Sequence, residues 1–129
     1  MDVDSLIERI EAATGPDREL DLDIARLQGV VVLKRNHEDT ANYETTHWRY
    51  TASIDAAMTL VPEGFCWTVA VYWCEGEDKP PYFADCADLP AMQAGDFQVP
   101  IHEAWAATPA LALVAAALKA RTTHSTGEA

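Results

Sequence analysis

The stretch Ser53-Ile-Asp-Ala-Ala-Met-Thr-Leu-Val-Pro-Glu-Gly-Phe-Cys-Trp-Thr-Val-Ala-Val-Tyr-Trp-Cys74 changes its hydrophobic period once, and that change decides the fold. Before Pro62, Ile54, Ala57, Met58 and Val61 recur at helical spacing, with Ser53 as N-cap and Asp55 in the first turn. Pro62 halts the helix and Glu63-Gly64 turns the chain. From Phe65 the pattern alternates. Phe65, Trp67, Val69, Val71 and Trp73 stand against Cys66, Thr68, Ala70, Tyr72 and Cys74. Both sets are largely apolar, which predicts a strand covered on at least one face and central in its sheet.

Downstream, Glu75–Pro81 is a charged connection, and Tyr82–Cys86 makes a second strand antiparallel to the first. Asp88–Asp96, with Pro90 and Gly95, reads as a loop. Phe97–Trp105 is a third strand, in which Pro100 demands an edge position or a bulge. Thr108 then caps a helix with Pro109 at its first position. Leu111, Val114, Ala115 and Leu118 line its buried face, and Lys119 and Arg121 offset its negative end.

Upstream, residues 4–14 put Leu6, Ile7, Ile10 and Ala13 on one helical face. Ser5 with Glu8 has capping-box spacing, and Asp4 serves equally as the cap. Gly15 ends that helix and Pro16 opens another. There Leu20, Ile24 and Leu27 recur, Asp17, Glu19 and Asp21 sit at the positive end, and Gly29 stops it. Val30–Leu33 either begins a strand or packs the turn beneath this hairpin. Lys34–Glu44 reads as an exposed loop, and Thr46–Thr51 as a short edge strand.

The order is thus α-α-(β)-α-β-β-β-α, which predicts an α/β (α+β) fold of αβα-sandwich type. Its antiparallel sheet of three to four strands is packed by helices. One domain spans 1–121, and 122–129 form a tail expected to fray.

The charge balance narrows the function. The chain of 129 residues carries a net charge of −12. From Tyr50 to Leu118 its only basic residue is Lys79, against Asp55, Glu63, Glu75, Glu77, Asp78, Asp85, Asp88, Asp96 and Glu103. Phosphate binding needs clustered Lys and Arg, so nucleic acids and anionic membranes are poor partners for that span. A partner protein with a basic surface fits, and so does plain solubility. No apolar run reaches the roughly twenty residues that cross a bilayer. The acidic start MDVDSLIERI resembles neither a secretory signal nor a mitochondrial presequence, and the odd cysteine count favours a reducing compartment. Both point to the cytoplasm.

No catalytic motif is present. Cys66, Cys74 and Cys86 are too widely spaced for a metal knuckle, and read as small core residues. A thiol nucleophile would need His102 nearby. His37, His47 and His124 lack metal-ligand spacing, and His102 and Glu103 point to opposite faces of a strand. Asp85 with Asp88, and Glu75 with Glu77 and Asp78, are carboxylate pairs without an apolar pocket to raise a pKa. We therefore assign no catalytic residue, no metal and no cofactor. Trp48, Tyr50, Trp67, Tyr72, Trp73, Tyr82, Phe83 and Trp105 are more aromatics than the core requires. Covered on one face only, the sheet would expose some of them among acids as a protein-binding surface, whereas helices on both faces would bury them. Glu75, Glu77, Asp78, Asp85, Asp88, Asp96, Trp73 and Tyr82 are the expected partner-binding residues. A homodimer is compatible with an open sheet edge or with the Ala-rich last helix, and a monomer with that helix buried.

Three blocks carry a family resemblance: Leu6-Ile-Glu-Arg-Ile-Glu-Ala-Ala-Thr-Gly-Pro-Asp-Arg-Glu-Leu20, the segment Tyr50–Gly64, and Ala107–Arg121. In this order they resemble the phage αβα-sandwich domain family. The resemblance implies a phage or prophage protein without assigned chemistry, so no catalytic residue is carried over. Residues 75–103 depart from the Gly- and Arg-richer family pattern. The leading expectation is a non-enzymatic protein that binds another protein, in its sharpest form an anti-CRISPR-like inhibitor mimicking nucleic-acid charge. A virion component, a double-stranded-RNA-binding-like module and a small hydrolase are the alternatives.

Overall fold

Pro109–Gly127 forms a helix that is apolar around its whole circumference over its first turns, and such a helix has to be enclosed. The computed structural model describes residues 2–27, 49–71, 81–95 and 100–127, and shows what encloses it. The expectations for 28–48, 72–80 and 96–99 lie outside the described residues.

Among those residues the chain runs through α1 (Val3–Ala12), α2 (Arg18–Leu27), α3 (Ile54–Met58), β1 (Phe65–Val71) and β2 (Tyr82–Asp88). It continues through α4 (Leu89–Gln93), β3 (His102–Ala106) and α5 (Pro109–Gly127). This is the expected mixed α+β domain, an antiparallel three-stranded sheet with helices packed on it, in the order β1-β2-β3.

Helix α5 packs against all three strands on one side and against α1 and α3 on others. Every residue from Ala110 to Leu118 is buried. The expected single buried face of Leu111, Val114, Ala115 and Leu118 is therefore too narrow. The alanines between them are core as well, because their small side chains let strands and helices approach closely. Residues 110–118 of α5 therefore face the interior of the domain. Polar anchors begin where enclosure ends. Lys119 Nζ donates to Glu11 Oε2 of α1 (2.9 Å) and to the Glu103 carbonyl of β3 (2.8 Å). Arg121 Nη1 donates to the Leu60 carbonyl behind α3 (3.2 Å).

The helical hairpin is fixed to the rest by one buried carboxylate. Asp21, 2% exposed, accepts from the Thr51 backbone N–H and the Thr51 hydroxyl through Oδ1, both at 2.8 Å. Its Oδ2 accepts from Arg18 Nη1 at 3.0 Å. The Thr51 hydroxyl oxygen in turn accepts from the Asp17 N–H at 2.8 Å. Asp17 Oδ1 caps α2 through the N–H groups of Glu19 and Leu20. Tyr50, buried beside this group, has its pKa raised by burial and then by Asp21, with Arg121 pulling the other way.

Several local expectations are corrected. The cap of α1 is Asp2, which accepts from Asp4 N–H, and neither Ser5 nor Asp4; the helix starts a turn earlier than its apolar face. Tyr50 and Thr51 lie in a turn rather than the expected edge strand, since Thr51 is committed to Asp21. Helix α3 buries Ala56 and Ala57 and leaves Ile54 and Met58 exposed, because close approach to α5 favours the small side chains. The expected loop at Asp88–Asp96 contains α4, capped by Asp88 with Pro90 at its start, a stop-and-start signal easily taken for a turn. Strand β3 begins at His102, beyond Pro100. Helical backbone continues past Arg121 to Gly127. Most consequentially, among the described residues β1 stands at an edge and β2 is the central strand.

Thr51→Val should cost about 2 kcal/mol, since it removes one of the two bonds to the buried Asp21 Oδ1 and leaves the Asp17 N–H without its acceptor. Thr51→Ser should retain most of that stability. Urea midpoints at unchanged m-value provide the check. Ala116→Leu, which overfills the fully buried centre of α5, should destabilise by about 1–3 kcal/mol in the same titration.

Candidate functional site

The register assigns every strand residue to a face. Val69, Ala84 and Ala104 lie in one row, and Trp67, Cys86 and His102 in the next. These belong to the face that packs on α5, where Ala84, Cys86 and Ala104 are buried. The opposite face carries the rows Thr68–Asp85–Glu103 and Ala70–Phe83–Trp105. There the Phe83 and Trp105 rings meet at 5.0 Å with planes tilted by 55°.

Asp85 and Glu103 are directly opposed across β2 and β3, and neither is in an ion pair among the described residues. Like charges facing each other on neighbouring strands weaken a sheet, so this pair lowers stability where it stands. Along the chain these two carboxylates are far apart. Only the β2–β3 register makes them neighbours.

The other expected partner-binding residues separate. Tyr82 belongs to the α5 side and packs on the core. Asp88 Oδ1 is spent as the cap of α4, accepting from Ala91 N–H at 3.2 Å. Trp73, Glu75, Glu77, Asp78 and Asp96 lie outside the described residues. Of the expected partner-binding residues, Asp85 alone lies on the described face away from α5, where it is half-buried.

Cys86 and His102 are cross-strand partners, but Asp85 projects from the opposite face and does not join them. Burial, helped by Asp85 and Cys66, pushes the Cys86 thiol up to about 12. Burial and then Lys119 push His102 below its ordinary value. A thiolate–imidazolium dyad requires the opposite shifts, so this pair stays neutral at neutral pH. Cys66 lies on the other face of β1 and donates weakly to the Ala87 carbonyl. Among the described residues no three His, Cys, Asp or Glu side chains converge on a metal-sized space. A shallow cavity of about 240 Å³ opens between the Thr51 turn and the start of α5, lined by Pro16, Ala52, Ile54, Thr108 and Pro109 among others. None of its lining side chains is titratable. No helix among the described residues is long and apolar enough to cross a membrane.

The alternation of backbone groups is equally informative. Leu89 N–H donates to the Gly64 carbonyl at 3.3 Å, which marks that pair as hydrogen-bonded and sets the phase of the ladder. Cys66, Thr68 and Ala70 therefore exchange bonds with β2, whereas Trp67, Val69 and Val71 turn theirs outward. The Phe65 N–H, also outward, is taken by the Pro62 carbonyl at 3.0 Å. By the same phase Glu103 faces outward from β3, and its carbonyl is the one Lys119 covers.

Comparison with protein-family models, with curated proteins and with solved structures finds no match to this chain.

Two measurements check these environments. Cys86 should resist thiol reagents at pH 8 in the folded protein and react fully in denaturant. For His102 the folded pKa lies below the ordinary 6.5, so the stability it confers is present above that value. That stability is lost as pH falls through and below it. His102→Gln should flatten the decline in urea midpoint between pH 7.5 and 5.5.

Proposed function

We propose that this chain acts by binding a protein with a cationic surface, using the sheet face that carries Asp85 and Glu103. The observation behind this reading is their direct opposition across β2 and β3 with neither carboxylate in an ion pair among the described residues, Lys119 being bonded to the Glu103 main-chain carbonyl and to Glu11 instead. A like-charge pair retained on an open face at a cost to the sheet suits a site whose counter-charge arrives with a partner. The surrounding span supports it: a single lysine stands among nine carboxylates from residue 50 to 118. Phe83 and Trp105 in the adjacent row add aromatic surface beside the acids, which suits lysine or arginine side chains.

In this reading the protein is phage- or prophage-encoded and acts in the bacterial cytoplasm, a reading supported by the resemblance of three blocks to the phage αβα-sandwich family. Counter-defence by occupying a basic nucleic-acid channel is its sharpest form. The chemistry is non-enzymatic in this reading.

The test separates binding from folding. Asp85→Asn with Glu103→Gln should raise stability slightly, by about 0.2–1 kcal/mol, because the opposed charges are gone. The same variant should lose capture of basic proteins from a bacterial lysate, read by mass spectrometry. Capture by the unmodified chain should fall steeply between roughly 0.05 and 0.5 M salt, as screening shortens the range of the charges. Salt-independent capture, or capture undiminished in the double variant, would remove the reading.

A further inference from the structure

The two edges of the sheet are treated differently. At β3 the outward Glu103 carbonyl is covered by Lys119, α1 packs against the strand, and Pro100 stands just before it. These are the devices by which sheets discourage further pairing. Strand β1, Phe-Cys-Trp-Thr-Val-Ala-Val, has no charge, no proline and no bulge over its seven residues. Among the described residues no strand pairs with its outer side. The backbone groups of Trp67, Val69 and Val71 point there, and Val71 is 59% exposed.

We propose that β1 receives an extended segment of a partner protein as a fourth, antiparallel strand, with alternating basic and apolar side chains. This rests on the cationic-partner reading above and specifies how the partner is held. Main-chain bonds to Trp67, Val69 and Val71 supply the docking, as in strand addition to other sheet edges. The phase of the ladder then dictates the side chains. Partner residues bonded to Trp67 and Val69 share the α5 side of the sheet and meet aromatic and branched neighbours, so they are apolar. The residues between them fall in line with Thr68, about 10 Å from the Asp85 strand. A lysine or arginine there reaches across the short Thr68 side chain toward Asp85, with Glu103 beyond. Charge selects this occupant over a second copy. Another β1 brings no cation to that row, and each copy carries −12.

Three synthetic heptapeptides test it: alternating lysine and valine, the same peptide N-methylated on its valines, and the same N-methylated on its lysines. All have identical charge. Valine methylation blocks the edge facing β1 and should weaken binding about tenfold or more, while lysine methylation should leave it nearly unchanged. Val69→Pro, which deletes an outward N–H without touching the β1–β2 ladder, should weaken the parent peptide similarly. Hydrogen exchange should show Trp67 and Val69 amides fast in the free protein and protected by the parent peptide.

Equal, salt-sensitive binding of all three peptides would overturn strand addition while leaving the cationic-partner reading standing. No binding of any at low salt would overturn both. Trp67 and Val69 amides protected without peptide would overturn the proposal in either form: at all protein concentrations the chain itself covers the edge, and with rising concentration a second copy does.

Discussion

Complete enclosure of α5 is the constraint on which the structure depends. Nine consecutive residues without a polar side chain leave no flank that can face water, so the helix must be covered from several directions. One flank is the sheet, and the others are α1 and α3. Since the helix is mainly alanine, enclosure works only at short distance, and this dictates small residues on the opposing surfaces. Ala84, Ala104 and Ala106 in the sheet and Ala56 and Ala57 in α3 meet that demand. The larger Ile54 and Met58 are turned to the surface as a result.

The polar bonds make this packing specific. Asp21 is buried and charged, a combination that is costly unless each oxygen is satisfied. Thr51 and Arg18 satisfy it, and so the α1–α2 hairpin acquires one position against the turn that precedes α3. Lys119 and Arg121 play the same part at the far end of the apolar run, joining α5 to α1, β3 and the turn after α3. Apolar contact alone would hold these elements together without fixing their register.

With one face of the sheet consumed by α5, its acidic row and its uncharged edge become the surfaces open to interaction among the described residues. Both are set by one phase relation. The alternation that turns Asp85 and Glu103 away from α5 also turns the backbone of Trp67 and Val69 outward. Charge and hydrogen-bonding capacity therefore sit side by side, and a partner strand could use both at once. The Cys86–His102 pair lies on the enclosed side, where burial keeps both groups neutral.

Sequence by itself determined the element types, their order and most of their boundaries. Capping residues, prolines and hydrophobic period are local, and Ser53, Pro62, Thr108 and the alternation from Phe65 act over a few bonds. It also determined the charge balance that disfavours phosphate ligands. It misplaced what depends on neighbours: β1 at the edge, α4 within an apparent loop, and Ile54 and Met58 on the outside. An apolar alternating strand reads alike in the middle of a sheet and at its margin, because strand order is a relation between distant segments. Asp21 looked like a helix-terminal charge, since its bond to Thr51 spans 30 residues. Only tertiary structure brought Asp85 opposite Glu103 and set which strand stands at the edge among the described residues, because both follow from a register that no single segment contains.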